Sequence, residues 1–104
     1  MRRRGEFKTP GGKLIAVEFN IVHESLRNVV VTGDFFLYPE EALPLLSGAL
    51  EGAPVTLDLD QVAERVRAGL PEDVELLGSS PEGLATAVMR GLDSRSAPGV
   101  ADER

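Results

Sequence analysis

Along this 104-residue chain the spacing of hydrophobic positions changes once, from two to about 3.6, and that change separates a strand half from a helix half. Glu6–Thr9 and Lys13–Ile21 read as two strands around Thr9-Pro10-Gly11-Gly12, where proline at the second and glycine at the third position suit a type II turn. In the second strand Ile15, Val17, Phe19 and Ile21 alternate with Leu14, Ala16, Glu18 and Asn20, giving the single apolar face of a half-buried antiparallel strand. The polar stretch Val22-His23-Glu24-Ser25 turns the chain. Leu26–Thr32, with β-branched Val29, Val30 and Val31, supplies a third strand.

Helical spacing takes over at Pro39, which suits a first helical position, with Glu40 and Glu41 at the positive end of the dipole. Ala42, Leu43, Leu46, Ala49 and Leu50 form the apolar stripe, Gly52 is placed to stop the helix, and Pro44 predicts a short or bent start. The clearest helix runs from Asp58 to Leu70. Leu59, Val62, Ala63, Val66 and Leu70 share one face, and Thr56 or Asp58 is its cap. Val74–Leu77 is a strand or an extended linker. Ser80-Pro81-Glu82 opens a last helix with the stripe Leu84, Ala85, Val88 and Leu92.

Strands first and helices after is the order of an α+β fold, here a small antiparallel sheet of about three strands covered on one face by three helices. Residues 1–92 are expected to form a single domain and residues 93–104, small and polar, a disordered tail.

Composition narrows the chemistry. The chain has no cysteine, which excludes disulfides, thiol nucleophiles and thiolate metal sites. No apolar run approaches the length of a membrane span, and the N-terminus has no apolar signal region, so a cytoplasmic location without membrane attachment is expected. The net charge of −6 is unevenly distributed: residues 1–32 carry six Lys/Arg against three acids, and residues 33–104 carry five Arg against fourteen acids. So acidic a body argues against nucleic acid as a partner. The Arg2-Arg3-Arg4 run is expected to be a frayed, solvated terminus.

Few residues remain for catalysis. His23, the sole histidine, falls in an exposed hairpin without an orienting carboxylate or a nucleophile. Glu40/Glu41 and Asp58/Asp60 are explained as first-turn and capping residues, and the carboxylates have no metal-ligand spacing. Pro10-Gly11-Gly12-Lys13 leads into a strand, whereas a phosphate loop must open a helix. Lys13 and Lys8 are the only lysines beside nine arginines, and they flank one turn. Lys13 is either an ordinary hairpin charge or a retained, compact point charge. In Gly33-Asp34-Phe35-Phe36-Leu37-Tyr38-Pro39, Gly33 permits a sharp bend and Asp34 suits an Asx-turn. The rings of Phe35, Phe36 and Tyr38 either plug the core beneath the helix or form an exposed anchor for a partner.

Two stretches, Phe7-Lys8-Thr9-Pro10-Gly11-Gly12-Lys13-Leu14 and Thr32-Gly33-Asp34-Phe35-Phe36-Leu37-Tyr38-Pro39-Glu40-Glu41-Ala42-Leu43, together resemble the accessory C-terminal domain of lipoate–protein ligases. Val74-Glu75-Leu76-Leu77-Gly78 and Ser80-Pro81-Glu82-Gly83-Leu84 extend the resemblance, which covers nearly all of residues 5–92. It implies the fold of sulfur-transfer and iron–sulfur scaffold proteins, without their cysteine chemistry. With nothing resembling the catalytic domain before it, the chain is expected to be a free-standing accessory subunit.

In that role it would be inactive alone and would bind no cofactor of its own. A separate catalytic subunit would handle ATP, Mg and lipoate, form lipoyl-AMP and pass the lipoyl group to a carrier-domain lysine. Lys13 and Gly12 would then lie near the adenylate, and Gly33, Asp34, Phe35, Phe36 and Tyr38 would form or buttress the docking face. The alternative is a non-catalytic module that binds lipoyl carrier domains and has no role in adenylation. An independent enzyme is disfavoured, since no acid–base or nucleophile constellation survives inspection.

Overall fold

The computed structural model describes residues 2–11 and 13–93; Met1, Gly12 and residues 94–104, the greater part of the expected tail, lie outside the described residues. Three strands, β1 (Arg2–Lys8), β2 (Leu14–Val22) and β3 (Ser25–Gly33), form an antiparallel meander in that order. A 3-10 turn at Glu40–Ala42 leads into α1 (Leu43–Leu50), followed by α2 (Leu59–Gly69) and α3 (Pro81–Asp93). The α+β order read from the sequence is the order observed.

Within the sheet, Ile15, Val17 and Phe19 of β2 are completely buried against the helices. The opposite face is charged: Arg4 pairs with Glu6 at 2.8 Å and with Glu18 at 2.6 Å, and Arg2 reaches Glu18 at 3.7 Å. Glu6 and then Glu18 hold the Arg4 guanidinium above its ordinary pKa. The Arg2–Arg4 run is therefore not a frayed terminus. It begins β1, in register with Asn20, Phe19 and Glu18, because the acids of β1 and β2 neutralise it on one face. On the other face Arg3 donates to the carbonyls of Gly91 and Leu92, where a cation complements the negative end of α3.

β3 alternates less simply than its run of valines suggests. Leu26, Val29 and Val31 are buried, a step of three and then of two. A bulge accounts for the change of phase. Glu18 pairs with Val30 and Asn20 with Arg27, so Asn28 and Val29 together lie opposite Phe19. Asn28 takes the left-handed conformation (φ 55°), which asparagine tolerates well. The carboxylate of Glu51, just past α1, accepts from the N–H groups of Asn28 (2.9 Å) and Val29 (3.1 Å). Between β2 and β3 the exposed residues His23 and Glu24 both have positive φ (51° and 62°), the pattern of a two-residue type I′ hairpin.

The Thr9–Gly12 expectation needs correction. Gly11 does not adopt the positive φ that a type II turn requires at its third position. The loop closes instead through the Thr9 N–H to the Lys13 carbonyl (2.8 Å), and the Lys13 N–H donates to Thr9 Oγ1 (3.1 Å). Pro39 is likewise extended rather than helical, and α1 begins four residues later with Pro44 in its first turn. There the missing N–H of proline costs no helical bond. Leu43, read as part of the buried stripe, is 45% exposed, while Ala42, Leu46 and Leu50 face the core.

α2 is capped by Asp58, whose carboxylate accepts from the Gln61 N–H (2.8 Å) while the Gln61 side chain accepts from the Asp58 N–H (2.9 Å). Arg65 of α2 donates to the carbonyls of Ala49 and Glu51, tying α1 to α2. Ser80 Oγ accepts from the Gly83 N–H (3.0 Å) at the start of α3. The sequence reading did not anticipate a second, two-stranded antiparallel sheet. Phe36–Tyr38 (β4) pairs with Glu75–Leu77 (β5), so the bend after β3 becomes a strand as soon as a partner lies beside it.

Candidate functional site

The two stretches singled out in the sequence line two grooves. Lys13 and its loop, Pro10 and Gly11, form one wall of the first, a space of about 570 Å³. Phe7 of β1 and the Gly78–Ser80 segment with the first turns of α3 complete it. Lys13 is exposed, and among the described residues its ammonium has neither an ion pair nor a hydrogen bond. Thr9, Ser79, Ser80 and Thr86 line the same groove, so hydroxyl-bearing residues surround the Lys13 side of it. Gly12, the other candidate beside the adenylate, lies outside the described residues.

Glu82 is the acid in this groove, and it is largely neutralised. Its own backbone N–H, and then the Arg67 guanidinium, favour the charged carboxylate and hold its pKa below the ordinary glutamate value. In turn Glu82, and then Glu64, raise Arg67. The ion pair links α2 to the start of α3. Nearby, Arg90 stacks over the Phe7 ring, 5.5 Å from its centroid, and donates to the Glu6 carbonyl.

The second groove, about 480 Å³, is bounded by Val31–Gly33, Phe35–Leu37, Glu40 and Leu43. Alternation within β4 resolves the question left open by the sequence. Leu37 is buried and Phe35 packs partly against the core, while Phe36 and Tyr38 are each 68% exposed. Register places Phe36 opposite Leu77, itself 51% exposed, and Tyr38 opposite Glu75. Phe36, Tyr38 and Leu77 thus make an apolar patch on the outer face of the small sheet, so the segment divides, with Phe35 and Leu37 turned toward the core and the Phe36 and Tyr38 rings exposed. The Asx-turn does not form. The Asp34 carboxylate has no hydrogen bond among the described residues, and the Asp34 backbone N–H donates to the Leu14 carbonyl (2.8 Å).

That hydrogen bond joins the two stretches. Gly33, in an extended conformation with positive φ (149°), lies so close to β2 that a Cβ there would stand 2.3 Å from the Leu14 carbonyl oxygen. Gly78, a wall of the first groove, packs against Asp34 and against Phe35, which borders the second. The Pro10–Lys13 loop and the Gly33–Tyr38 segment are therefore neighbours, although they line separate grooves.

Leu77 and Ser79 were not singled out by the sequence reading. Phe36, Leu37 and Tyr38 are all apolar and show no alternation in the sequence, and a three-residue strand needs partners that lie 37 to 41 residues away in register. Among the described residues no group of three or more His, Asp or Glu, His23 included, is placed to hold a metal ion, and no helix is long and apolar enough to cross a membrane.

No family model and no curated protein matches the chain. A solved chain from a structural analysis of an archaeal lipoylation system, a bi-partite lipoate protein ligase and its E2 lipoyl domain from Thermoplasma acidophilum, is similar to it with a TM-score of 0.67. The match covers 85% of this chain and 94% of that chain, at 23% identity. What the two share is the fold.

Proposed function

We propose that this chain is the accessory subunit of a bipartite lipoate–protein ligase, acting with a separate catalytic subunit in the ATP-dependent activation of lipoate to lipoyl-AMP. The lipoyl group then passes to a lysine of a carrier domain. The observation that carries this reading is the fold match to a chain of an archaeal bipartite ligase system, which spans nearly all of that chain and agrees with the resemblance of the GGKL and GDFF stretches.

The geometry supports a division of labour. Lys13, uncompensated at the mouth of the first groove, supplies positive charge to the adenylate or pyrophosphate held by the partner. Phe36, Tyr38 and Leu77 offer the aromatic and aliphatic area that anchors an interface. ATP, Mg and lipoate are bound by the catalytic subunit. This chain favours the partner's activation-competent conformation by contacting it more extensively than the alternative.

The test is lipoate-dependent ATP–pyrophosphate exchange by the catalytic subunit with and without this chain. Stimulation is expected, and its absence overturns the proposal. Binding of an apo-lipoyl domain by this chain, with no effect on exchange, would establish the carrier-binding reading instead.

A further inference from the structure

Half of one sheet edge is closed by the chain itself and half is left open. β3 is an edge strand, and antiparallel alternation decides which of its backbone groups turn outward. The Asp34 N–H bonds toward β2, so Thr32 and Val30 face β2 as well, and Val31 and Gly33 direct their N–H and C=O groups away from the sheet. Beyond the bulge the outward N–H groups are taken. Glu51 accepts from Asn28 and Val29, while Leu26 donates to the Ala53 carbonyl and accepts from the Gly52 N–H. Among the described residues nothing bonds the outward groups of Val31, a residue only 7% exposed, or of Gly33, which is exposed. The opposite edge is defended: its outward positions Arg2, Arg4, Glu6 and Lys8 are all charged, and Arg90 occupies the Glu6 carbonyl.

The open stretch is also the wall of the second groove, with half-exposed Leu43 and exposed Phe36 beside it. Its rim is acidic. The carboxylates of Asp34, Glu40 and Glu41 are exposed and have no ion pair or hydrogen bond among the described residues.

We infer that the Val31–Gly33 edge is a strand-addition site for a short extended segment of the catalytic partner, carrying an aliphatic side chain for the groove and a Lys or Arg against Asp34 and Glu40. The inference rests on the accessory-subunit reading and names the contact within it. Outward donor–acceptor pairs two residues apart are matched by extended backbone and not by a helix, whose own groups are already bonded. A second copy of this chain fits poorly, because its acidic rim would face the same acids, and the bulge stops regular pairing just before Val31.

Amide hydrogen exchange of this chain, free and mixed with a catalytic lipoate ligase subunit that lacks such a domain, tests the inference. The Val31 and Gly33 amides are expected to slow by about tenfold or more in the complex, while Thr32 and Leu26, already bonded, change little. Glu40→Lys with Glu41→Lys is expected to weaken the complex about tenfold with the circular dichroism spectrum unchanged. If a complex forms and stimulates pyrophosphate exchange while both amides stay at their free rates, the strand-addition site is overturned and the accessory role stands. If neither complex nor stimulation appears, both are overturned. Protection that grows with the concentration of this chain alone assigns the edge to a second copy and overturns the inference.

Discussion

A Cβ placed on Gly5 would stand 1.8 Å from the carbonyl oxygen of Ala87. The backbone of β1 and the backbone of α3 meet there without a side chain between them, and this contact sets how closely the last helix lies on the sheet. Gly5→Ala must push α3 away or displace β1, since the obstructing atoms are backbone. The expected loss is about 3 kcal/mol, read from urea denaturation. A loss below about 0.5 kcal/mol would mean that the packing yields easily.

Glu51 stabilises the β3 bulge by accepting two N–H groups that the ladder leaves unpaired. Glu51→Ala strips both acceptors from a partly buried site and is expected to cost about 1–2 kcal/mol, with amide exchange accelerating first at Asn28 and Val29. Uniform acceleration along β3 would count against a local role.

The Phe36 and Tyr38 rings cover little of the core. Phe36→Ser with Tyr38→Ser is therefore expected to shift stability by about 0.5–1 kcal/mol at most, yet to weaken binding of the catalytic subunit about tenfold or more. Isothermal titration calorimetry alongside thermal melting separates the two effects; unchanged affinity would remove the aromatic patch from the interface.

Lys13 has no partner to lose within the described chain. Lys13→Ala should leave the melting temperature where it is and reduce the stimulated rate of pyrophosphate exchange by about tenfold, with Lys13→Arg recovering part of it. Full activity in the alanine variant would relegate Lys13 to an ordinary hairpin charge.

Acid should loosen the contact between α2 and α3. The folded-state pKa of Glu82 is lowered, by its own N–H first and by Arg67 second. A depressed carboxylate contributes stability that is fully present above its unfolded value and is lost as pH falls through the folded one. Denaturation midpoints of wild type and Glu82→Gln should accordingly differ at neutral pH and converge below the glutamate range. Both groups are solvent-exposed, so the difference is small and should shrink further in high salt. Curves that stay parallel down to acid pH would show that the pair contributes nothing.

Much of the fold was legible because periodicity reports burial wherever an element buries one face. Ile15, Val17 and Phe19 announced β2, and Val62, Ala63 and Val66 announced α2. Asp58 and Ser80 marked helix starts through local hydrogen bonds that need no distant partner. Some expectations failed locally, at the Thr9–Gly12 turn, at Pro39 and at Asp34, and the rest failed or were missing where a remote residue decides. The arginines at the start of β1 are ordered by Glu18 and by the end of α3, the Val29 phase shift depends on Glu51, and β4 exists only because β5 lies beside it.

By itself the sequence determined the α+β order, the approximate starts of the last two helices, the absence of thiol chemistry and the two stretches on which a functional reading could be built. Those properties follow from residue type and local spacing. Only the tertiary structure decided that Leu37 turns inward while Phe36 and Tyr38 turn out, and that the Lys13 loop and the Gly33 bend meet through the Leu14 carbonyl. It alone decided that one stretch of β3 edge is left unpaired. Each of these depends on which backbone lies alongside which, and strand pairing across tens of residues is set by the whole packed core rather than by any local pattern.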